Sequence, residues 1–368
     1  TVARVKPMYG WKPRKDQLTP TGLAQMDETV LQSMDYPEAK VVLAWKRASK
    51  KHGYIASEKK SNGQGGGWLV HMDTRTHRVH ANLNWNGCIT HRPSCSSPNL
   101  QQVDTGSDMR GVWIPQPGWK MIGVDSEGIE LRCLGHYLAK YDGGTYAEMV
   151  INGDIHTFTM ELLGLNVLAD PVALKKINRN NTKRVEYAFL YGAGDYKLGL
   201  ICQENAWDSK LPINFAALGL APVKSLAKVG AAIRAKLLIG IDGLDELVKA
   251  VQLRAELGQM RGLDGRILFI RSKHSALNTL LQSAGILTVK GTISIYPGML
   301  EDAGLVRGRD WNCNLWVHDE LVMEGRPEVA EQVGAIVAQA FVDGSKLVGF
   351  RVPTAGKVQI GDSWAEVH

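Results

Sequence analysis

The chain has 368 residues, of which 44% are hydrophobic and 22% charged, as in an ordinary globular protein. This composition excludes a wholly disordered chain, a coiled coil and a collagen-like fibre, and the length allows two or three structural units. No apolar run is long enough to predict a membrane span or a secretory leader. The net charge of +6 mildly favours a polyanionic partner, and five cysteines without CxxC spacing predict reduced thiols in a cytoplasmic protein.

The first hundred residues are the most polar part of the chain. A basic amphipathic helix is predicted over 39–52, and a flexible basic loop, KKSNGQGGG, over 59–67. Apolar and polar side chains alternate along 67–92, and this period of two predicts a β-hairpin.

From Trp119 onward the pattern changes to grouped helices and apolar strands. The run KMIGV predicts a buried strand that leads into a helix near Ile129. The elements predicted after it are a long helical stretch over 177–200 ended by the Gly192–Gly194 pair, one or two helices over 221–260, a strand pair near 263–272, a helix over 274–290, a strand–turn–strand over 312–324 and a helix over 327–343. This arrangement favours an α+β fold with antiparallel strands over alternating βαβ units.

Two acidic segments, VDSEGIELR and VHDEL, lie almost two hundred residues apart, each beside an apolar strand. Asp125 ends the first strand, and Asp319 and Glu320 lie at the tip of an apolar hairpin. Buried carboxylates brought together repel each other unless divalent cations pair with them, and hard oxygen ligands favour Mg²⁺ or Mn²⁺. Two such ions support phosphoryl transfer. Taken singly, each segment has a simpler interpretation that is favoured over the functional one: Asp125 caps the following helix, and HDE is a polar hairpin turn.

Basic and aromatic residues recur every four positions along one predicted helix. The set is Arg179, Lys183, Tyr187 and Tyr191. Because a step of four turns only about 40° away from a full rotation, these side chains form one stripe. Its cationic end suits phosphate oxygens and its aromatic end a sugar or base. The alternative is an amphipathic helix with a basic rim and an aromatic core edge.

A second helix presents two amides on one face, Asn278 and Gln282. Amide donors can reach the purine N3 and pyrimidine O2 atoms that every Watson–Crick pair shows in the minor groove. Arg92 is a candidate third donor. The alternative is that these amides are solvent-exposed helix residues.

Together these segments resemble family A DNA polymerases. DSEGIELR looks like motif A of that family, RNNTKRVEYAFLYGAG like motif B and VHDE like motif C, in the same order and at similarly long spacings. The resemblance is strongest to the replicative polymerases of short-tailed bacteriophages, and it includes the blocks GDIHT, GLDGR and HSALNTLLQSAG and the final His368. It spans most of 67–368 and is weaker before that.

The resemblance implies a template-directed DNA polymerase that adds dNTPs to a primer 3′-OH. Asp125 and Asp319 would hold two Mg²⁺ ions, which Mn²⁺ can replace, with help from the Ser126 main-chain carbonyl. Glu320 would support this site. Glu130 would be the steric gate that crowds a ribose 2′-OH.

The resemblance also assigns the remaining substrate contacts. The residues implied to bind the dNTP, besides Glu130, are His156, Arg179, Lys183, Tyr187 and Tyr191. Lys183 would also protonate the departing pyrophosphate. The residues implied to bind DNA are Arg92, Asn278 and Gln282 in the nascent minor groove and His318 near the primer terminus.

Two positions depart from the family pattern. Glu127 stands where the family usually has Ser, and its extra carboxylate either perturbs the metal site or faces solvent. His91 stands where a Gly commonly precedes the minor-groove Arg.

The implied architecture is a right-hand polymerase with an antiparallel-sheet palm, a helical fingers insertion and a reduced thumb. The expected boundaries are 1–66 for the thumb and N-terminal segment, 67–144 for the first part of the palm, 145–261 for the fingers and 262–368 for the second part of the palm. No exonuclease carboxylate motif is visible, so we expect no exonuclease domain and no intrinsic proofreading.

The short N-terminal part predicts either a shortened form of a longer chain or half of a split polymerase. In the second case a separate exonuclease subunit, and also a processivity factor, are expected partners. The expected location is the cytoplasm, that of a bacterial host if a phage encodes the chain.

Three other functions compete with this interpretation. A single-subunit RNA polymerase shares the paired Asp residues and the spacing from Lys183 to Gly192, although Glu130 and Tyr187 argue against it. A catalytically silent nucleic-acid-binding subunit of a replisome is a second possibility. A third is a zinc module, for which the candidate ligands, none in a tight CxxC pattern, are His77, His80, Cys88, His91 and Cys95.

Overall fold

The computed structural model describes residues 10–13, 17–19, 21–32, 34–58, 65–164, 172–209, 213, 215–223 and 225–367, with only the backbone described for 29, 107, 172–177 and 205–209. The chain forms two compact units. The first comprises Thr1–Leu83 and Cys95–Gln102, and the second comprises Asn84–Ser94 and Val103–His368. Most of the predicted basic loop, residues 59–64, and His368 lie outside the described residues.

The smaller unit is built around helices α1 (Glu28–Gln32) and α2 (Pro37–Ala56), and the second of these confirms the helix predicted over 39–52. Pro37 occupies the first turn of α2, where its missing N–H costs nothing. The apolar core of this unit contains Val30, Leu31, Met34 and Ala39.

The hairpin predicted over 67–92 is wrong. Residues Trp68–His71 form a 3₁₀ turn, and a single antiparallel bridge then joins Met72 to Val79. The Asp73 carboxylate accepts the backbone N–H of Arg75 at 2.8 Å. The backbone donors of this stretch therefore bond within a local turn instead of across a strand ladder.

The remaining elements follow in chain order. They are β1 (Asn82–Asn84), β2 (Ser94–Ser96), α3 (Ser107–Arg110), β3 (Lys120–Ser126), α4 (Ile129–Leu138), α5 (Thr145–Asn152), α6 (Ile155–Leu163), α7 (Val172–Leu190), α8 (Asp195–Ser209), α9 (Leu226–Gly240), α10 (Leu244–Ala255), β4 (Gln259–Arg261), β5 (Ile267–Phe269), α11 (Ala276–Asp302), β6 (Trp311–Val317), β7 (Glu320–Gly325), α12 (Ala330–Leu347) and β8 (Gly356–Gly361). Within the described residues, every helix is too short or too polar to cross a lipid bilayer.

A four-stranded antiparallel sheet in the order β6-β7-β3-β8 organises the larger unit. The middle of strand β3, residues 121–124, is apolar without alternation, and all four residues are buried. This pattern is typical of a strand that is covered on both faces. Helix α12 covers one face, where Gly334 approaches Ile122. On the opposite face Val367 lies so close that a Cβ at Gly123 would stand 2.1 Å from its carbonyl oxygen.

Helices α4 to α11 share an apolar core with the β4–β5 pair. The long helix predicted over 177–200 ends at Leu190, and α8 begins at Asp195. Gly192 allows this break because it has φ +79° and because a Cβ there would lie 2.3 Å from the His274 carbonyl oxygen. Helix α11 continues beyond the predicted residue 290 to Asp302. The antiparallel sheet and the grouped helices confirm the α+β prediction.

Close packing of α11 against α12 generates a stability prediction. A Cβ at Gly291 would lie 2.4 Å from the Gly344 carbonyl oxygen, so Gly291→Ala must force the two helices apart. We expect this change to lower the free energy of unfolding by about 2–3 kcal/mol, measured by denaturant titration. Gly298→Ala is the matched control in the same helix, because nothing lies within 4 Å of its Cβ position. Equal stability of the two variants would contradict the packing argument.

Candidate active site

The sheet brings the two predicted carboxylates together at one end. Asp125 is the cross-strand partner of Glu320 in the β3–β7 pair, and Asp319 is the next residue outward. The Ser126 N–H donates to the Asp319 carbonyl at 3.1 Å. This backbone bond ties the end of β3 to the turn between β6 and β7, so the Asp125 and Asp319 side chains share one site.

An indole holds the turn that carries Asp319. His318 has φ +55°, a left-handed conformation that is uncommon outside Gly. The Trp316 Nε1–H donates to the His318 carbonyl oxygen at 2.6 Å. Burial and the positive charge of Arg92 lower the pKa of His318. The turn therefore has a fixed shape with a neutral imidazole beside the carboxylates.

The two aspartates ionise less readily than free aspartates when no cation is present. Burial, followed by the charges of Asp319, Glu320 and Glu130, raises the pKa of Asp125 to about 7. Burial and Glu130 raise the pKa of Asp319 to about 6, and the nearby Arg92 opposes this shift. Like charges held together in a partly buried site produce such shifts and create a strong preference for an added cation.

Glu320 is held by two residues that sequence reasoning missed. The Trp364 Nε1–H donates to Glu320 Oε1 at 2.9 Å, and Arg110 Nη1 lies 3.6 Å from Glu320 Oε2. The Arg110 guanidinium also stacks 4.3 Å from the centre of the Trp364 ring. These residues lie more than 40 positions from Glu320, on either side, and no local pattern relates them to it. A hydrogen bond to one oxygen and a nearby cation beside the other offset part of the cost of burying this carboxylate.

Glu130 is fixed in front of the aspartates by a tyrosine and an arginine. The Tyr191 hydroxyl donates to Glu130 Oε1 at 2.7 Å, and Arg92 Nη2 lies 3.7 Å from the same oxygen. Glu130 belongs to the first turn of α4 and Tyr191 directly follows α7. The structure therefore brings together three predicted site residues from three separate segments.

The stripe on α7 is present, and its aromatic end faces the carboxylates. The Tyr187 and Tyr191 rings stack with centroids 6.4 Å apart, and Lys183 Nζ lies 5.7 Å from the Tyr187 ring centre. Burial, followed by the charges of Glu130, Glu186, Asp319 and Asp125, raises the pKa of Tyr187. The phenol of Tyr187 therefore lies within electrostatic reach of both aspartates.

The cationic end of the stripe is engaged by acidic residues that the sequence did not single out. Arg179 Nε and Nη2 donate to the Asp154 carboxylate at 2.8 and 3.0 Å, and this pairing lowers the pKa of Asp154. The His156 Nδ1 atom contacts the Glu186 carboxylate. Asp154 caps α6 by accepting the Thr157 N–H. Two of the predicted phosphate-binding residues, Arg179 and His156, are thus held in place by intramolecular partners.

The remaining predicted residues occupy simpler surroundings. Asn278 and Gln282 are half-buried and share one face of α11, four residues apart. The Glu127 side chain is exposed and is absent from the groups that shift the pKa of Asp125, which favours the solvent-facing alternative.

The oxygen donors of the site suit Mg²⁺. Among the described residues, no group of three or more His, Cys, Asp or Glu side chains is arranged to hold a metal ion by itself, at the zinc-module candidates or elsewhere. Mg²⁺ characteristically binds one or two carboxylates and completes its coordination with substrate phosphates and water. An antiparallel sheet that ends in two such carboxylates, faced by a basic and aromatic helix, is the arrangement that the sequence resemblance implies for the palm of a polymerase.

Comparisons with known proteins identify the family. The model for DNA polymerase family A matches residues 8–205, just over half of the chain. The chain is 31% identical to the DNA-directed DNA polymerase of Escherichia phage T7, over 98% of this chain and 50% of the phage protein. It is 28% identical to the thermostable DNA polymerase I of Thermus thermophilus, over 80% of this chain and 33% of that protein. The chain therefore belongs to DNA polymerase family A.

A solved structure supports the same fold. The POL domain of Pol1 from M. smegmatis, in complex with DNA primer-template and dNTP, superposes with a TM-score of 0.74 over 100% of this chain and 61% of that chain, at 20% identity. The chain thus has the right-hand polymerase fold predicted from its sequence. It spans about half the length of the phage relatives that it matches.

The raised carboxylate pKa values predict how stability depends on pH. Because Asp125 has a folded-state pKa of about 7 against 3.8 in the unfolded chain, the folded state binds more protons between these values, and stability falls as pH rises through this range. In EDTA, we expect Asp125→Asn to be more stable than wild type by about 2 kcal/mol near pH 8, and the two proteins to converge near pH 4.

Denaturant titrations across this pH range measure the effect. Glu127→Gln is the matched control, because it removes a neighbouring but exposed carboxylate and should leave the profile unchanged. The electrostatic account fails if Asp125→Asn and wild type show parallel profiles.

Proposed function

We propose that this chain is the catalytic polymerase module of a DNA-directed DNA polymerase, which adds dNTPs to a primer 3′-OH. The observation that carries the proposal is the convergence of Asp125 and Asp319 with Glu130 at the end of one sheet. Membership in DNA polymerase family A and the fold shared with a polymerase solved with primer-template and dNTP support it.

Asp125 and Asp319 are the residues proposed to hold two divalent metal ions, with the Ser126 main-chain carbonyl as a further oxygen ligand. Enzymes of this family use divalent ions, and the all-oxygen donor set favours Mg²⁺, with Mn²⁺ as a substitute. When bound, the ions would activate the primer 3′-oxygen and stabilise the charge that develops on the α-phosphate and the leaving pyrophosphate. Glu320, held by Arg110 and Trp364, keeps the β7 end of the site rigid.

The cationic part of the stripe on α7 is proposed to bind the triphosphate. Arg179 can form a planar fork on phosphate oxygens after it exchanges its Asp154 partner for the nucleotide. Lys183 is exposed and adds a point charge, and its ammonium can give a proton to the departing pyrophosphate. His156, which contacts Glu186, would provide a further phosphate contact from α6.

Glu130 and the two tyrosines are proposed to select the sugar. The Glu130 carboxylate is fixed by Tyr191 and Arg92, so it cannot easily move aside for a ribose 2′-OH. Tyr187 would pack beside the deoxyribose and Tyr191 near the template base. A fixed Glu130 carboxylate discriminates between ribonucleotides and deoxynucleotides more strongly than a mobile one. It cannot move to relieve the steric clash with the 2′-OH, so the full clash energy opposes ribonucleotide binding.

The DNA duplex would be read through its minor groove. Arg92 lies within electrostatic reach of Asp319 and is proposed to contact the primer-terminal pair. Asn278 and Gln282 would donate to neighbouring pairs from α11, and His318 would lie beside the primer terminus. These donors meet acceptors common to all four Watson–Crick pairs and therefore test pair geometry.

The domain assignment and the partners are part of the proposal. Residues 1–66 would form the thumb and N-terminal segment, 67–144 and 262–368 the palm and 145–261 the fingers. A separate exonuclease subunit and a processivity factor remain candidate partners.

Two observations weigh against the alternative functions. A single-subunit RNA polymerase would not benefit from an anchored carboxylate at Glu130, which would crowd the 2′-OH of its own substrate. A catalytically silent subunit would not need Asp125 and Asp319 to converge at the cost of their mutual repulsion.

Primer extension by the purified chain tests the central proposal. With primer-template, dNTPs and Mg²⁺, we expect wild-type extension, and we expect Asp319→Asn to reduce the rate on the order of 10³-fold by removing one metal-binding carboxylate. DNA binding, measured by fluorescence anisotropy, should persist in this variant. Glu127→Gln is the charge-matched control and should extend normally. A wild-type chain that binds DNA without extending it would favour the silent subunit.

The sugar gate is tested by comparing dNTP with NTP incorporation. Glu130→Ala should raise ribonucleotide incorporation relative to deoxynucleotide by about 10- to 100-fold, because the obstacle to the 2′-OH is gone. Tyr191→Phe removes only the hydroxyl that anchors Glu130 and should give a smaller change in the same direction. Preference for NTPs in the wild-type chain would instead identify an RNA polymerase.

A further inference from the structure

The loop formed by residues 84–94, called here the Arg92 loop, has no long regular element of its own to hold it. It contributes Asn84 to β1 and Ser94 to β2 at its two ends. Between these strands it carries Arg92 to a position 3.7 Å from Glu130. Something other than secondary structure must therefore set the direction of Arg92.

Two side chains from outside the loop, Trp316 and Lys290, hold it in place. The Trp85 ring packs on Trp316 with centroids 5.3 Å apart, and Trp316 is the residue that bonds the His318 carbonyl. Lys290 Nζ donates to Asn86 Oδ1 at 2.6 Å and to the His91 carbonyl oxygen at 2.9 Å. Helix α11 and the β6–β7 hairpin thus both anchor the Arg92 loop.

A third contact acts directly next to Arg92. His91 has φ +63°, so the peptide preceding Arg92 is held in a left-handed conformation. Arg266 Nη1 donates to His91 Nδ1 at 2.9 Å. Because an arginine can only donate, Nδ1 must be an acceptor, and the ring must be neutral with its proton on Nε2. Asp264 in turn orients Arg266 through its own carboxylate.

We propose that His91 is a positioning residue for Arg92, and that it performs this role only as a neutral imidazole that accepts from Arg266. This inference rests on the proposed function of Arg92 at the primer terminus. It assigns a role to the position where other members of the family commonly have Gly. The hydrogen bond between the His91 imidazole and Arg266, called here the latch, connects the Arg92 loop to the segment between β4 and β5.

The charges around His91 make this latch sensitive to acid. Arg266 and Lys290 face the ring from the β4–β5 segment and from α11, while Asp264 and the Ile267 backbone oppose them. Burial and the two cations together lower the pKa of His91 from its ordinary value of 6.5. Protonation therefore occurs below that value, removes the acceptor and adds a repulsive charge. The latch is intact above pH 6.5 and opens as pH falls through the folded-state pKa.

Two substitutions separate the imidazole from the backbone conformation. Asn tolerates a left-handed φ and offers an amide oxygen to Arg266 without titrating, so His91→Asn should keep the latch at every pH. Gly accepts the same backbone conformation but offers no acceptor, so His91→Gly should lack the latch at every pH.

The first measurement follows the loop without using catalysis. Trp85 is 53% exposed and lies in the loop itself, so its fluorescence and its quenching by acrylamide report the packing on Trp316. A Trp85→Phe variant identifies its share of the signal. We expect an acid transition below pH 6.5 in wild type, none in His91→Asn, and increased quenching at all pH values in His91→Gly.

The second measurement asks whether the latch controls Arg92. The ratio of extension from matched and mismatched primer termini is compared between pH 5.5 and 8, because protonation of the aspartates affects both rates and cancels in the ratio. In wild type the ratio should fall about three- to tenfold on acidification, the effect of losing one hydrogen bond of ordinary net strength. It should stay high in His91→Asn and low in His91→Gly.

The outcomes distinguish this inference from the proposed function. The same acid transition in His91→Asn as in wild type, or identical behaviour of His91→Gly and wild type at neutral pH, would overturn the role of His91. A His91-dependent transition of Trp85 without primer extension by any variant would uphold the latch and refute the polymerase activity.

Discussion

Mutual repulsion of partly buried carboxylates is the constraint on which this structure depends. Asp125, Asp319 and Glu130 stand within electrostatic reach of one another at one end of a sheet, with Glu320 directly across from Asp125. Such a cluster is unfavourable by itself, and only part of the excess charge is offset by the cations that surround it, Arg92, Arg110 and Lys357. The unbalanced negative charge favours an added cation, so in the proposed function the destabilising feature is also the functional one.

Rigidity of the surrounding framework keeps this cluster from relaxing. Strand β3 is enclosed on both faces, so Asp125 cannot retreat without disturbing the packing of Ile122 or the approach of Val367 to Gly123. The turn at His318 is fixed by an indole, and Glu320 is fixed by Trp364 and Arg110. An unfavourable arrangement of charges persists only where the packing and hydrogen bonds around it stabilise it by more than the repulsion costs. Here the stabilising interactions are contacts with the Trp316 and Trp364 rings and the close approach of Val367 to Gly123.

The sequence predicted those parts of the structure that depend on local patterns. A continuous apolar run identified β3, spacing of four residues identified the stripe on α7, and glycines identified its end. Contacts between distant segments were not predictable in this way: Arg110, Trp364 and Asp154 carry no local signal of the partners they find. Alternation over 67–92 gave a wrong hairpin, because the Asp73 carboxylate supplies a nearby acceptor that competes with strand pairing.

The pairing of Arg179 with Asp154 means that the chain holds an anion of its own where a triphosphate is proposed to bind. A ligand gains only the difference between its attraction to the guanidinium and that of the resident carboxylate. Singly charged anions such as acetate or chloride therefore gain little by displacing Asp154, whereas a polyphosphate that also meets Lys183 gains much. An internal competitor of this kind sets a threshold of charge below which small cellular anions would leave the proposed nucleotide site undisturbed.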